Sequence, residues 1–206
     1  DALPEPEAEG VFALRRAGDP RRDRQLWHAW VEAPGAERAK ILTVVREGPH
    51  GSAAANRETA ARRSARAGTA GWAVGQPVMV TRNLYARRLF NGDLGVVVEG
   101  AGPGRRAVWF PTVEEPAASN EDRTWDLAAL AADLVGADAL TVHKAQGSEF
   151  DRVMIWLPPQ PHPLLSRELL YTAITRARRQ VVVAGDPAVF EVGVRRPVRR
   201  RTGGMV

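Results

Sequence analysis

Three short runs, KILTVV (residues 40–45), VMIWLP (153–158) and QVVVAGD (180–186), are mostly apolar and rich in β-branched residues. A strand that is apolar on both faces must be covered on both faces, which is the pattern of a parallel sheet between layers of helices. The segments around these runs supply helices. RQLWHAWVEA (24–33) sets Leu26, Trp27 and Trp30 at helical spacing, and SAAANRETAARRSARA (52–67) opens on Ser52, a residue suited to an N-cap, before a run of strong helix formers. ALTV (139–142) reads as a further buried strand. SRELLYTAITRAR (166–178) reads as a helix capped by Ser166, with Leu169, Leu170, Ala173, Ile174 and Ala177 apolar. Strands alternating with helices predict an α/β fold with a parallel sheet flanked by helices.

Between these segments the texture changes. GQPVMVTRN (75–83), GDLGVVVEG (92–100) and RRAVWFP (105–111) are short strand candidates separated by the turn sequences NGD (91–93) and GPG (102–104). That spacing predicts a small antiparallel barrel or meander. DLAALAADLV (126–135) follows and is read as a helix. The expected organisation is a linker or cut edge at 1–23, an α/β layer at 24–70 and 138–193, an inserted β domain at 71–137, and a basic tail at 194–206.

A chain of 206 residues is one large domain, or one domain with an insert. There is no cysteine, which excludes disulfides, thiolate-bound metals and cysteine nucleophiles. No apolar run is long enough to cross a membrane, so the expectation is a cytoplasmic protein. The net charge is +5, and arginine carries nearly all of the positive charge: Lys40 and Lys144 are the only lysines. The cluster RRPVRRR (195–201) suits phosphate contacts.

One of the two lysines lies in LTVHKAQGSEF (140–150), where many hydrogen-bonding side chains crowd into one turn. In a parallel sheet, ligands bind beyond the carboxyl ends of the strands, and this turn begins just past such an end. Thr141, His143, Gln146 and Ser148 can donate to phosphate oxygens, Lys144 can meet a phosphate as a point charge, and Glu149 suits a ribose hydroxyl or an amide. Gly147 permits close backbone approach or a positive φ. The same groups serve equally well in a polar loop that caps a helix. Arg176, late on the 166–178 helix, can neutralise charge on a transferring phosphoryl group, or, with Arg178 and Arg179, simply complement the helix dipole. Trp109, Trp125 and Trp156 could stack on bases, with core packing the commoner use.

Taken together, these stretches resemble helicase motifs. TVHKAQGSEFD resembles motif V, and LLYTAITRARRQVVVAGD resembles motif VI, of superfamily 1 DNA helicases. ILTVVREGPHGSAAANRE and GQPVMVTRNLYARRLFNGDLGVVV resemble the segments upstream of motif V in the RecD family, the alpha subunits of exodeoxyribonuclease V. The resemblance runs from about Ile41 to the end, with the pieces in the family order. It implies a second RecA-like motor domain carrying a small SH3-like β-barrel insert. It implies that Thr141, His143 and Lys144 face single-stranded DNA, that Gly147 and Glu149 lie nearer the nucleotide, and that Arg176 contacts the γ-phosphate. The implied cofactor is ATP with Mg²⁺, and the implied partners are single-stranded DNA and RecB-like and RecC-like subunits.

The sequence also departs from a complete motor. No GxxxxGK[ST] loop is present and no Asp-Glu pair follows a strand, so the phosphate cradle and the metal-holding acid of an ATPase are missing. Nor do clustered carboxylates suggest a two-metal nuclease, and Asp138, Glu149 and Asp151 read as ordinary polar residues of the sheet edge. The expectation is the C-terminal half of a helicase motor, inactive alone. The alternative is a non-catalytic protein that binds single-stranded DNA or a partner and derives from such a half.

Overall fold

The computed structural model describes residues 3–5, 8–14, 20–32, 39–111 and 123–198. The chain divides into two compact units, Asp1–Ser52 with Leu140–Val206, and Ala53–Ala139.

The first unit holds a five-stranded sheet. In chain order its strands are β1 (Gly10–Leu14), β2 (Ala39–Thr43), β8 (Ala139–Thr141), β9 (Phe150–Trp156) and β10 (Ala177–Ala184), laid out as β1-β10-β9-β2-β8. The pairs β1–β10, β10–β9 and β9–β2 are all parallel. The apolar runs form these strands because both faces are covered: all of β2 is buried, and so is β9 except for Asp151. Helix α1 (Pro20–Glu32) covers part of this sheet. It buries Trp27, Trp30 and Val31, with the Trp27 ring 5.1 Å from that of Trp156 and Trp30 Nε1 donating to the Lys40 carbonyl at 3.2 Å. Helix α3 (Arg167–Ile174) is capped as its sequence suggests, the Ser166 hydroxyl accepting from Leu169 N, and it buries Leu169, Leu170 and Ala173. Helix α4 (Pro187–Arg195) starts on Pro187 after Asp186, whose carboxylate accepts from Ala188 N.

The second unit holds α2 (Ser52–Ala67) from Ala53 onward and an antiparallel sheet. Strands β3 (Pro77–Val80), β4 (Leu94–Glu99), β5 (Arg106–Trp109), β6 (Thr124–Asp126) and β7 (Leu134–Gly136) are ordered β6-β5-β4-β3-β7. Val78, Val80, Leu89, Val97, Val108 and Phe110 form its core together with Leu127, Leu130 and Leu134. Trp125 packs on this core edge-on to Phe110, and Trp156 is fully buried in the other unit, so both are packing residues. A buried polar lock ties α2 to the segment that ends the unit. Asn56 Nδ2 donates to the Ala139 carbonyl and Asn56 Oδ1 accepts from Ala139 N, each at 2.8 Å. Asp138, 2% exposed, accepts from Thr59 Oγ1 at 2.9 Å and from both terminal nitrogens of Arg63 at 2.8 and 3.0 Å.

The structure corrects several expectations. Residues 1–23 are not all linker, because β1 adds to β10 in register and Gln180 Nε2 donates to the carbonyls of Glu5 and Ala8. Helix α2, expected in the 24–70 layer, falls from Ala53 onward in the second compact unit, where its Asn56, Thr59 and Arg63 bond to Ala139 and Asp138. The helix expected at 126–135 is instead β6, a 3-10 turn at Ala131–Asp133 and β7. Its helix formers are overridden by tertiary bonds, with Leu134 paired to Val80 and Thr81 N donating to the Asp133 carbonyl. Asp138 is a buried, ion-paired residue rather than a sheet-edge one. The helix expected at 166–178 stops at Ile174, with Thr175 as C-cap and Ala177 beginning β10. The tail from 199 to 206 lies outside the described residues.

The Arg82 guanidinium, bonded to both oxygens of Asp133, holds that carboxyl below its ordinary range. A carboxylate with a lowered folded value contributes stability above its unfolded value, about 3.9, and loses it as pH falls through the folded value. Thermal melting of the Asp133→Asn variant should therefore differ from the parent near neutral pH, and the difference should shrink as pH falls below the ordinary carboxylate range. A difference that persists undiminished in acid would rule out the ion pair as its source.

Candidate functional site

The candidate site lies at the C-terminal end of β8, where the chain turns through Val142 to Glu149 before β9. Backbone bonds from Val142 N to the Thr43 carbonyl (3.0 Å) and from Ala145 N to the Thr141 carbonyl (3.1 Å) anchor its start. Val142 and Ala145 are buried beneath the turn, which forces the residues between and after them outward: His143, Lys144, Gln146, Gly147 and Glu149 are exposed and Thr141 half-buried. Thr141 also shapes the turn, its hydroxyl accepting from Lys144 N at 3.3 Å. Gly147 has φ +84°, with open space where a Cβ would stand. The turn thus requires glycine for its backbone conformation rather than for close packing.

Arg176 meets this turn from the other side. It follows the end of α3, and its guanidinium makes three bonds: Nε to the Thr172 carbonyl, one terminal nitrogen to the Ser148 carbonyl and the other to Thr175 Oγ1, each at 3.2 Å. The Phe150 amide in turn donates to the Arg176 carbonyl at 2.8 Å. Of the five N–H donors of a guanidinium, two remain for another acceptor. Glu149 bonds to Arg178 at 3.0 Å, and both side chains are more than half exposed. Such a pair is worth at most about 1 kcal/mol, so either member can exchange its partner for a ligand. Arg178 and Arg179 lie on β10 and pair with Glu149 and Glu9, so the helix-dipole account of them does not hold.

His143 and Gln146 also line a groove of about 750 Å³, with Ser166, Glu168, Thr172 and Arg196 among its other walls. Glu168, held below the ordinary carboxylate range by backbone amides, its own first and then that of Val198, puts a negative charge in the wall of this groove.

The structure therefore brings Thr141, His143, Lys144, Gly147, Glu149 and Arg176 to one loop edge of one unit. Thr172, Thr175 and the Ser148 carbonyl, which hold Arg176, were not singled out from the sequence; threonines one and four positions before an arginine were the available signal. Among the described residues no group of three or more His, Cys, Asp or Glu is placed to hold a metal ion. No helix among them is long and apolar enough to cross a membrane.

Comparison with known proteins gives the class. Residues 136–184, which contain this whole edge, match the UvrD-like helicase C-terminal domain family. The chain is 38% identical over 168 residues to RecBCD enzyme subunit RecD of Mycobacterium tuberculosis, covering 80% of this chain and 28% of that protein. It is 32% identical over 176 residues to the ATP-dependent RecD2 DNA helicase of Deinococcus radiodurans, covering 79% of this chain and 22% of that one. By these matches the chain is similar to a part of RecD proteins, and residues 136–184 to the UvrD-like helicase C-terminal domain. It spans less than a third of the length of either relative. Among solved structures, the Pif1 helicase of Candida albicans is 15% identical, with a TM-score of 0.46 over 83% of this chain and 52% of that one.

Proposed function

We propose that this chain is the C-terminal motor segment of a RecD-type, ATP-dependent DNA helicase subunit that acts in the cytoplasm in double-strand break repair, beside RecB-like and RecC-like partners. In this reading the unit with the parallel sheet is a second RecA-like domain, the antiparallel sheet within 71–137 belongs to an SH3-like barrel inserted in it, and 199–206 is a basic tail. The observation that carries the reading is the bond from the Arg176 guanidinium to the Ser148 carbonyl, which ties a cation with spare donors to a polar turn at the ligand end of a parallel sheet.

ATP with Mg²⁺, held mainly by a phosphate-binding half with a Walker loop that this sequence does not contain, would supply the free energy of the cycle. The donor set here fits its outer phosphate: Arg176 has two uncommitted N–H groups, and Gly147 and Glu149 sit on the same turn. Thr141, His143 and Lys144 take single-stranded DNA on the outward side. Because Arg176 is bonded to the backbone of that turn, a change in what its guanidinium contacts shifts the residues that hold the strand. This is how one phosphate group biases the position of a DNA contact.

The strand-binding half is tested by titrating the chain with labelled single-stranded DNA at several salt concentrations. Lys144→Ala should weaken binding and lower the slope of log affinity against log salt by about 0.7, the loss of one phosphate contact. An unchanged slope would remove Lys144 from the interface. A non-catalytic binding protein would pass this test too; the Arg176 variant described in the Discussion separates the two readings.

A further inference from the structure

The loop between β3 and β4 holds two large aromatic rings in solvent. Tyr85 is 74% exposed and Phe90 48%, and they meet edge to face with centroids 6.2 Å apart. Exposure of this size on a floppy loop would mean little, but this loop is built. Leu84 and Leu89 form an isolated bridge, N–H to carbonyl in both directions at 2.7 and 3.3 Å, and Leu89 is fully buried as its anchor. Asn83 Nδ2 donates to the Tyr85 hydroxyl at 3.2 Å, while Asn83 Oδ1 accepts from Asn91 N. Asp93 accepts from Phe90 N at 2.8 Å, and Arg87 donates to the Ala129 carbonyl. The two rings are thus fixed in place and left uncovered.

A second observation points the same way. Arg88 has φ +53°, the one non-glycine residue in the left-handed region among the described residues. That conformation is costly for a long side chain, and such strain concentrates where a loop presents something. Its guanidinium is exposed and has no hydrogen bond or ion pair among the described residues. Of the three arginines between Thr81 and Asp93, Arg82 is paired with Asp133 and Arg87 bonds the Ala129 carbonyl, which leaves Arg88 as the open cation of the loop. Open aromatic faces beside cations are what proteins use to hold single strands, the rings stacking on bases and the cations meeting phosphates.

We propose that the Tyr85–Phe90 pair is a stacking platform for a base of single-stranded nucleic acid, with Arg88 meeting an adjoining phosphate. The platform lies on the second unit, outside the loop that carries Lys144, and shares with the proposed function only the class of ligand. The test is fluorescence anisotropy of the full chain with a labelled oligothymidylate at rising salt. Tyr85→Ala and Phe90→Ala should each weaken binding roughly 10-fold, and Arg88→Gln should lower the salt slope by about 0.7. Phe90→Leu keeps apolar bulk without the ring and should weaken binding comparably, so a folding defect in an alanine variant does not decide the outcome. Unchanged affinity in the ring variants, with Lys144→Ala still weakening, overturns the platform alone. No oligothymidylate binding by the parent chain overturns both the platform and the strand-binding reading.

Discussion

Replacing Arg176 with alanine in a complete motor that contains this segment should cut DNA-stimulated ATP turnover by about 1,000-fold and leave single-strand affinity within a few-fold. The size follows from what a guanidinium does at a transferring phosphoryl group, where it stabilises charge that exists only in the transition state. Arg176→Lys should restore little of the rate, because an ammonium cannot reproduce the three-way fork that bonds Thr172, Ser148 and Thr175 while leaving donors free. The alanine variant also loses those three local bonds, each worth about 1–3 kcal/mol in net stability for a charged donor. Melting must therefore be measured alongside turnover. Turnover within two-fold of the parent in a folded variant would make Arg176 a structural tie between α3 and the turn and nothing more. It would favour the non-catalytic binding reading.

The second large effect concerns the lock in the smaller unit. Arg63→Ala leaves the Asp138 carboxylate buried at 2% exposure with only Thr59 to satisfy it. Removing one partner of a buried pair typically costs about 3–5 kcal/mol, because the remaining charge stays uncompensated. The loss should appear as faster hydrogen exchange throughout β3, β4 and β5 rather than in β9 and β10. Replacing both partners with apolar residues, Arg63→Met with Asp138→Leu, should recover most of it, since two desolvated charges disappear together. A loss under about 1 kcal/mol for Arg63→Ala would mean that solvent reaches the pair and screens it.

The sheet of the larger unit was legible because its central strands are covered on both faces. Ile41, Leu42, Val153, Met154, Ile155 and Val182 are all buried, and continuous burial leaves a continuous apolar run in the sequence. β1 was hidden because GVFAL is an edge strand of mixed exposure lying among prolines and charges, and only its pairing with β10 defines it. The misread helix at 126–135 shows the opposite failure. Leu127, Leu130 and Leu134 have helical spacing, but they reach the core from the bend after β6, the turn before the 3-10 segment and the start of β7.

The candidate site was legible where its chemistry resides in side chains. His143, Lys144, Gln146 and Glu149 stand out because polar groups crowd a turn after an apolar strand. The hold on Arg176 was not legible, since the acceptors that matter most are the carbonyls of Ser148 and Thr172, and a backbone oxygen leaves no mark in a sequence. The early end of α3 was not legible for a related reason. Its end is set where Ala177 pairs with Phe150 of β9, a long-range contact that local helix propensity does not contain.

The central claim is that Arg176 joins a nucleotide's outer phosphate to the turn that holds a DNA strand. The most direct measurement is a structure of the complete motor with a non-hydrolysable ATP analogue and single-stranded DNA. An Arg176 terminal nitrogen should lie within hydrogen-bonding distance of a γ-phosphate oxygen, with Lys144 or His143 against the strand. An Arg176 that keeps only its bonds to Thr172, Ser148 and Thr175 while nucleotide is bound would contradict it.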